Sequence, residues 1–458
     1  MQKSILISSL FIFQSVYSFR VEDIKGALTE HLSLSGKKEI CSIANKQNAK
    51  FYSQDDLESE KKLCDIDFYN TQAICPKMQS TNPGVEILDF IPGKTRIESM
   101  NYCQNRPQNF EKIAKFKSSV SCSYTPSILA YYHMSRILKA GRVPVAVLRT
   151  MDVKEHLSVA QKGFSMVPAG SVIQQTWKSF VNVDLNLNNN DVLDEKREFV
   201  YGALVENPKS EEKYTEMNLF KNYETRYESF FQLKPYLNVS SPKPILELAI
   251  DSLASNVVSL IVQMKDVSDM VLLDTLFTQQ DRIGNIHYKG KWYFIKKDDK
   301  GINKIIEEKS KATFQFNTKT WNIPEAEKVH LTTGGFLVKE MILKDNDCGV
   351  NVNKYENKMR QNNAIENLKH MSPRTYKKFM AFYKVARLPD SLNWYSQEWL
   401  MTNADIGLTQ PINKKSFLAN LDRAKTVLLQ NCKSGALKLD LDVEGYLNNQ
   451  IEKVSCEE

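Results

Sequence analysis

The chain has 458 residues, 42% of them hydrophobic and 25% charged, which is enough to build a real core in two lobes or in two to three domains and excludes general disorder. Its formal net charge of +7 is mild for this length and its lysines are scattered, so nothing points to a nucleic-acid binder. An anionic nucleotide or an acidic surface stays open as a partner.

Lys3, the apolar run from Ser4 to Phe13 and the compact residues up to Ser18 read as a secretory signal cleaved after Ser18. An uncleaved anchor or a buried N-terminal helix is the alternative, although the run is short for a bilayer. Loss of Lys3 with the signal would leave a charge of +6. No other segment approaches a membrane span, so no stable span is expected after cleavage. Eight cysteines follow, at 41, 64, 75, 103, 122, 348, 432 and 456. An even count in an exported chain favours disulfides, and none has zinc-site spacing. Five lie between 41 and 122, so the N-terminal third is expected to be stapled.

Residues 19–80 are polar and cysteine-bearing and read as an extension packed onto the main body. Strand-like patterns follow at Val85–Ile91, with Pro92-Gly93-Lys94 as a turn, and at Lys112–Lys117. Residues 126–139 carry helical spacing, with Pro126 suited to a first turn and Gly141 to a stop. Val143–Leu148 reads as the next strand. Residues 151–245 look like an insertion that holds the loop-like tract 186–191 and a strand at Phe199–Val205. Helical patterns return at 246–263 and 269–280. A hairpin is expected within Ile286–Lys297, turning at Gly290 between aromatic flanks. Beyond Gly349 the chain is mostly helical, as at Arg374–Ala386 and Lys415–Gln430.

The most informative stretch is Asp269 to His287, where an apolar run ends in Asp281-Arg282 and Asn285. Far downstream comes Asp345-Asn346-Asp347-Cys348-Gly349. An acid that can orient a hydroxyl, a nearby amide and a second acid before glycine are what metal-dependent phosphoryl transfer uses. That chemistry points to a kinase-like fold.

The segment Ala130-Tyr131-Tyr132-His133-Met134-Ser135-Arg136-Ile137-Leu138, with Arg142-Val143-Pro144 and Arg149, resembles the small-lobe helix and following strand of the secretory-pathway kinases, the Golgi casein kinase and proteoglycan xylose kinase group. Asp269 to Arg282 resembles the approach to their catalytic loop, and also that of phosphoinositide and HipA-type kinases. The resemblance covers about 60 residues, and it implies an α+β, bilobal protein-kinase-like fold with insertions and a disulfide-bearing N-terminal extension. Its parts would be residues 1–18 as signal, 19–80 as extension, 81–245 as small lobe and 246–458 as helical large lobe.

By the same resemblance Asp281 is the catalytic acid, Asp347 and Asn285 hold Mg2+ or Mn2+, and Lys115 or Lys117 binds the phosphates of ATP, the co-substrate. Gly349 would let the backbone turn. Alternation puts both lysines on one strand face, so sequence does not choose between them. The acceptor hydroxyl could belong to protein, sugar or lipid. Four departures stand out. Ile128 occupies the place of the glutamate that pairs with the lysine, and Asn285 lies four residues after Asp281 rather than five. Sixty-six residues separate Asp281 from Asp347, and the metal motif is Asp-Cys-Gly with Asp345 as a rival ligand. The missing glutamate and the shifted amide mark the alternative of a pseudokinase that binds a nucleotide or protein partner; an exported binding or structural protein is the other, and the scarcity of ATP outside cells bears on all of these readings.

Other motifs read more plainly. Gly93-Lys94-Thr95 lacks the earlier glycine of a phosphate loop, having Leu88 there, and reads as a hairpin tip that could cover phosphates. His133 reads as a packed helix residue and His287 as a structural hydrogen-bonding group. Arg136 and Arg149 read as ion-pair residues, and Lys265-Asp266 as a helix cap. Asn238-Val239-Ser240 is a glycosylation sequon.

Overall fold

The computed structural model describes residues 24, 26–44, 49–78, 80–120, 122–185, 192–351, 356–386 and 411–457. The signal segment and the 186–191 tract lie outside these residues.

Seven strands form one antiparallel sheet. They are β1 (Ala27–Leu32), β2 (Lys38–Ile43), β3 (Gln72–Pro76), β4 (Val85–Asp89), β5 (Lys112–Ser118), β6 (Ala146–Asp152) and β7 (Phe199–Glu206), in the order β1-β2-β6-β7-β5-β4-β3. The segment expected as a packed-on extension therefore supplies strands at both edges, through β2 against β6 and β3 against β4. The Val143–Leu148 strand begins later, at Ala146. Pro144 cannot donate to a ladder, so the strand begins beyond it, with Val145 O still accepting from Glu206 N of β7 at 2.9 Å. The Gly93–Lys94 turn does not make a hairpin tip. It leads into α2 (Arg96–Met100), whose Thr95 cap and Glu98 bond reciprocally.

α1 (Gln54–Cys64) starts on a capping box, with Asp56 N bonding Ser53 Oγ at 3.1 Å and Ser53 N bonding Asp56 Oδ2 at 2.9 Å. α3 (Thr125–Leu138) has Pro126 in its first turn, where a missing N–H costs nothing. It stops at Lys139, whose φ of 53° is left-handed, two residues before the expected Gly141. Arg136 ties α3 to α1 through Asp56 at 2.8 Å, and His133 meets Tyr52 Oη at 2.8 Å, both packed roles as expected. Arg149 pairs with Glu39 at 3.4 Å, with both side chains fully buried. α4 (Val153–Met166) and α5 (Val172–Leu185) fill the insertion before β7.

Beyond β7, β8 (Glu212–Lys213) leaves the first sheet and pairs with the second. The short helices α6 (Arg226–Phe230), α7 (Lys234–Val239) and α8 (Ile245–Leu248) precede α9 (Ala254–Phe277). The two helical patterns expected at 246–263 and 269–280 are one 24-residue helix, about 36 Å long. Lys265-Asp266 lies inside it rather than at a cap, because buried Asp266 Oδ2 accepts from Met341 N at 2.9 Å. Every residue from Asp266 to Phe277 is buried, so this helix is the axis of the C-terminal half.

The second sheet is β10-β9-β13, built from β9 (Ile286–Lys297), β10 (Asn303–Lys309) and β13 (Phe336–Leu343), while β11 (Thr313–Gln315) and β12 (Thr320–Asn322) pair with each other apart from it. The hairpin expected at Gly290 is absent: β9 runs straight for 12 residues and the chain turns after Lys297. Gly290 is there for close approach, since a Cβ would lie 3.0 Å from Ala312 O and 3.1 Å from Trp321. The helices expected late in the chain span Pro373–Ala386 and Pro411–Lys433.

Four disulfides join Cys41–Cys64, Cys75–Cys103, Cys122–Cys348 and Cys432–Cys456. Two staple the N-terminal third. The set fits an oxidising, exported environment. Among the described residues no helix is long and apolar enough to cross a membrane. Asn238 is only 6% exposed, so the sequon presents no accessible side chain.

Candidate functional site

Strand β5 sets the first wall. Its alternation turns Phe116 into the core and puts Lys115 and Lys117 together on the opposite face. Opposite them lies the loop after β13. Lys117 Nζ reaches Asp347 Oδ2 at 2.6 Å and Asp345 Oδ1 at 3.4 Å, and Lys115 Nζ reaches Asp345 Oδ1 at 3.6 Å. Burial alone would lower the Lys117 pKa, but Asp347 and Asp345 more than offset it and hold it above the usual lysine value. Burial pushes Lys115 down to about 7, with Asp345 opposing and Lys77, Lys344 and Lys117 reinforcing. Burial would raise Asp345, yet the surrounding lysines keep it well below the usual carboxylate range.

Lys77 and Lys344 were not singled out in the sequence. Lys77 enters from the β3–β4 turn, where burial and the Lys117 charge depress it. Lys344 pairs with Glu211. Nothing in local patterning marks either residue, since turns and strand ends carry lysine routinely.

The loop that bears Asp347 is anchored from several sides. Tyr124 N donates to Asp347 O at 2.8 Å, and Ser127 Oγ donates to Asn346 O at 2.6 Å. Cys348 is bonded to Cys122, while Asn82 Nδ2 sits 3.0 Å from Cys122 Sγ and 3.4 Å from Cys348 Sγ. Gln280 N donates to Cys348 O at 2.9 Å. Gly349 is needed for approach rather than for a turn: a Cβ would stand 2.8 Å from Ser127 Oγ and 2.9 Å from Phe277 O. The positive φ values fall instead on Asp345 (46°) and Val350 (64°). A left-handed β-branched residue is strained, and strain of this kind persists where surrounding structure over-determines it.

The second wall is the loop after α9. Asp281 Oδ1 accepts from Tyr223 Oη at 2.7 Å and Arg226 Nη2 at 3.0 Å, and Oδ2 accepts from Asn285 Nδ2 at 3.1 Å. Burial pushes Asp281 up to about 6; Arg226 opposes, and the charges of Asp347 and Asp345 add to the rise. Asp347 and Asp345 are thus near enough for their charges to act on Asp281, while the cavity beside Lys115, Lys117 and Asp347 is lined by neither Asp281 nor Asn285. Arg282 joins the two walls. It is fully buried, bonds Asp274 at 2.9 Å through Nε, donates to Lys344 O at 2.8 Å and to Asn346 Oδ1 at 2.6 Å. His287 lies nearby, its Nδ1 3.9 Å from Glu211, and burial with Lys344 pushes its pKa down to about 4.

Asp347 Oδ1 is buried and has no hydrogen-bond partner among the described residues, a lone pair that a cation would satisfy. Among the described residues no group of three or more His, Cys, Asp or Glu is placed to hold a metal.

The cavity at Lys115, Lys117, Ile128, Pro144 and Asp347 is about 20 Å³, room for one water, so a nucleotide enters only if the cleft opens. A larger cavity of about 390 Å³ lies elsewhere, lined by Tyr214, Phe314, Trp321, Lys339, Gln263 and Asn256. It contains none of the expected site residues.

No family model matches the chain, and no curated protein matches it. Among solved structures it is similar to the crystal structure of the Golgi casein kinase, at 12% identity, over 84% of this chain and 76% of that one, with a TM-score of 0.42. A likeness at that level carries no argument for fold or activity.

Proposed function

We propose that the chain is an exported kinase-like protein that binds ATP with Mg2+ or Mn2+ and transfers the γ-phosphoryl group to a hydroxyl. In this reading the seven-stranded sheet belongs to the small lobe and residues 246–458 form the large lobe. Counted from β3, β5 is the third strand, the strand that carries the phosphate-binding lysine in protein kinases, and with Ile128 in place of the glutamate its Lys117 pairs with Asp347. The observation that carries the reading is the Lys117–Asp347 contact at 2.6 Å, with the other Asp347 oxygen buried and without a hydrogen-bond partner among the described residues.

Each residue then has a task. Lys117 moves from Asp347 to phosphate oxygens, and Lys115 and Lys77 add positive charge over them. Asp347 and Asn285 would hold the cation, which when bound neutralises charge on the phosphates. Asp281 accepts a hydrogen bond from the acceptor hydroxyl and takes its proton. Arg282 keeps Asn346, and so the Asp347 loop, in register with the Asp281 loop.

Thermal unfolding of the oxidised protein with ATP and Mn2+ or Mg2+, beside Asp347→Asn, tests this. Binding to the folded state raises stability by mass action, about 2.7 kcal/mol at a hundred times Kd. The expected shift requires metal and is lost in the variant. A second reading, that of an exported binding protein, is favoured by the 390 Å³ cavity, which needs no opening. It expects Trp321→Ala, and not Asp347→Asn, to abolish ligand binding.

A further inference from the structure

The acid proposed to orient an acceptor hydroxyl already has a hydroxyl on it. Tyr223 lies in the loop before α6 and is 60% exposed, yet its phenol donates to Asp281 Oδ1 at 2.7 Å. An exposed phenol ordinarily spends its hydrogen bond on water. Here the ring is held from two sides. The Arg226 guanidinium carbon lies 3.5 Å from the ring centroid, and Phe220 meets the ring edge-on with centroids 6.5 Å apart. Arg226 is itself fixed, donating through Nη2 to Gln280 O at 2.7 Å and to Asp281 Oδ1 at 3.0 Å. The other Asp281 oxygen is taken up by Asn285. Oδ1 is therefore the atom offered to a hydroxyl, and Tyr223 occupies it.

We infer that Tyr223 is an intramolecular phosphoacceptor: its phenol stands where the acceptor hydroxyl of the proposed reaction stands, and the chain phosphorylates itself there. This rests on the proposed phosphotransferase function and names a phenol as one acceptor class. The step balances without an oxidant or reductant. The Oη–H bond breaks and its proton passes to Asp281 Oδ1. Oη bonds the γ-phosphorus of ATP, and the bond from that phosphorus to the β,γ-bridging oxygen breaks to release ADP.

The product cannot stay where the phenol was. A phosphotyrosine carries about −1.5 to −2 charge at pH 7 and would face Asp281, with Asp345 and Asp347 beyond it. Arg226, already against the ring, is the cation placed to receive it, by the fork geometry that guanidinium offers phosphate. The Tyr223 loop would then leave Asp281 free for an acceptor from another molecule.

The test is incubation of the oxidised full chain with ATP and Mn2+, followed by intact and peptide mass spectrometry, beside Tyr223→Phe. The expected result is one phosphoryl group per chain, located on Tyr223 and acquired at a fractional rate that dilution does not change. Tyr223→Phe should take up none while keeping the wild-type thermal shift with ATP and Mn2+. Wild-type protein that binds ATP with metal but carries no phosphate on Tyr223, or a Tyr223→Phe chain that takes up as much as wild type, overturns the inference. Absence of any metal-dependent nucleotide binding in wild type overturns the proposed function itself, and this inference with it.

Discussion

Asp347 and Asp281 lie within reach of each other's charge but are held by different means. Asp347 is 1% exposed, sits next to a disulfide, receives a backbone bond from the start of α3 and pairs with a buried lysine. Asp281 is 21% exposed at its side chain, and two of its three partners, Tyr223 and Arg226, come from the loop and short helix beside it. The first end is pre-organised by covalent and buried contacts; the second is closed by a side chain that water can reach. In the proposed reading, that division suits a cation-binding acid that stays fixed while the hydroxyl beside the other acid exchanges.

The comparison breaks most severely at Arg282, which belongs to both ends. Arg282→Met would leave Asp274 buried without its cation, a loss of about 3–5 kcal/mol, read by denaturant unfolding. A loss below about 1 kcal/mol would mean that the two loops are held in register by something else.

Removing the Cys122–Cys348 bridge, as a double serine variant, should cost about 2–4 kcal/mol and erase the ATP–metal shift. Its partners are 226 residues apart, against 24 for Cys432–Cys456, so the loop-closure term is larger for the first bridge. The Cys432–Cys456 double variant should lose stability and keep the shift. Equal loss of the shift in both would erase the distinction between a pre-organised end and the rest of the molecule.

A smaller effect follows from the seam between α9 and β13, which sets the spacing of the two ends. Burial pushes Asp266 up to about 7, against Lys265 and its bond from Met341 N, while Asp269 and Glu340 add to the rise. Its folded-state value lies above the unfolded one. The associated stability is therefore complete below about pH 4 and declines as pH rises through about 7. Asp266→Asn keeps an acceptor oxygen and should flatten that decline, by about 1–3 kcal/mol at pH 8. Parallel pH profiles for wild type and variant would contradict it.

The least costly change is expected at the open end. Tyr223→Phe should alter stability by no more than about 1 kcal/mol, since the ring stays and the lost bond is near solvent. A larger loss would make Tyr223 a structural strut rather than an exchangeable occupant of Asp281.

Much of this site was legible in the sequence because it is written locally. Alternation around Phe116 in Lys112–Lys117 put Lys115 and Lys117 on one face, Pro126 and the spacing to Leu138 marked α3, and Asp281 followed an apolar, helix-like run. What stayed hidden depends on distant partners. Lys265-Asp266 reads as a cap until Met341 N is found on its carboxylate. Gly290 among aromatics reads as a turn, because the approach of Ala312 and Trp321 that requires a glycine comes from elsewhere in the chain. β1 sits at the rim of the sheet with exposed and half-buried positions only, so it carried little of the hydrophobic signal that marks a strand, and β3 buries its apolar residues in a run of only five. Arg282 stood beside Asp281 in plain view, but its bonds to Asp274 and Asn346 give it meaning only in three dimensions.

Equilibrium binding of ATP to the oxidised chain, with and without Mn2+, in wild type, Lys117→Met and Trp321→Ala, tests the central claim most directly. The expected result is binding that needs the metal, survives Trp321→Ala and is lost in Lys117→Met. Binding that is indifferent to metal and to Lys117, or no binding at all, would contradict it.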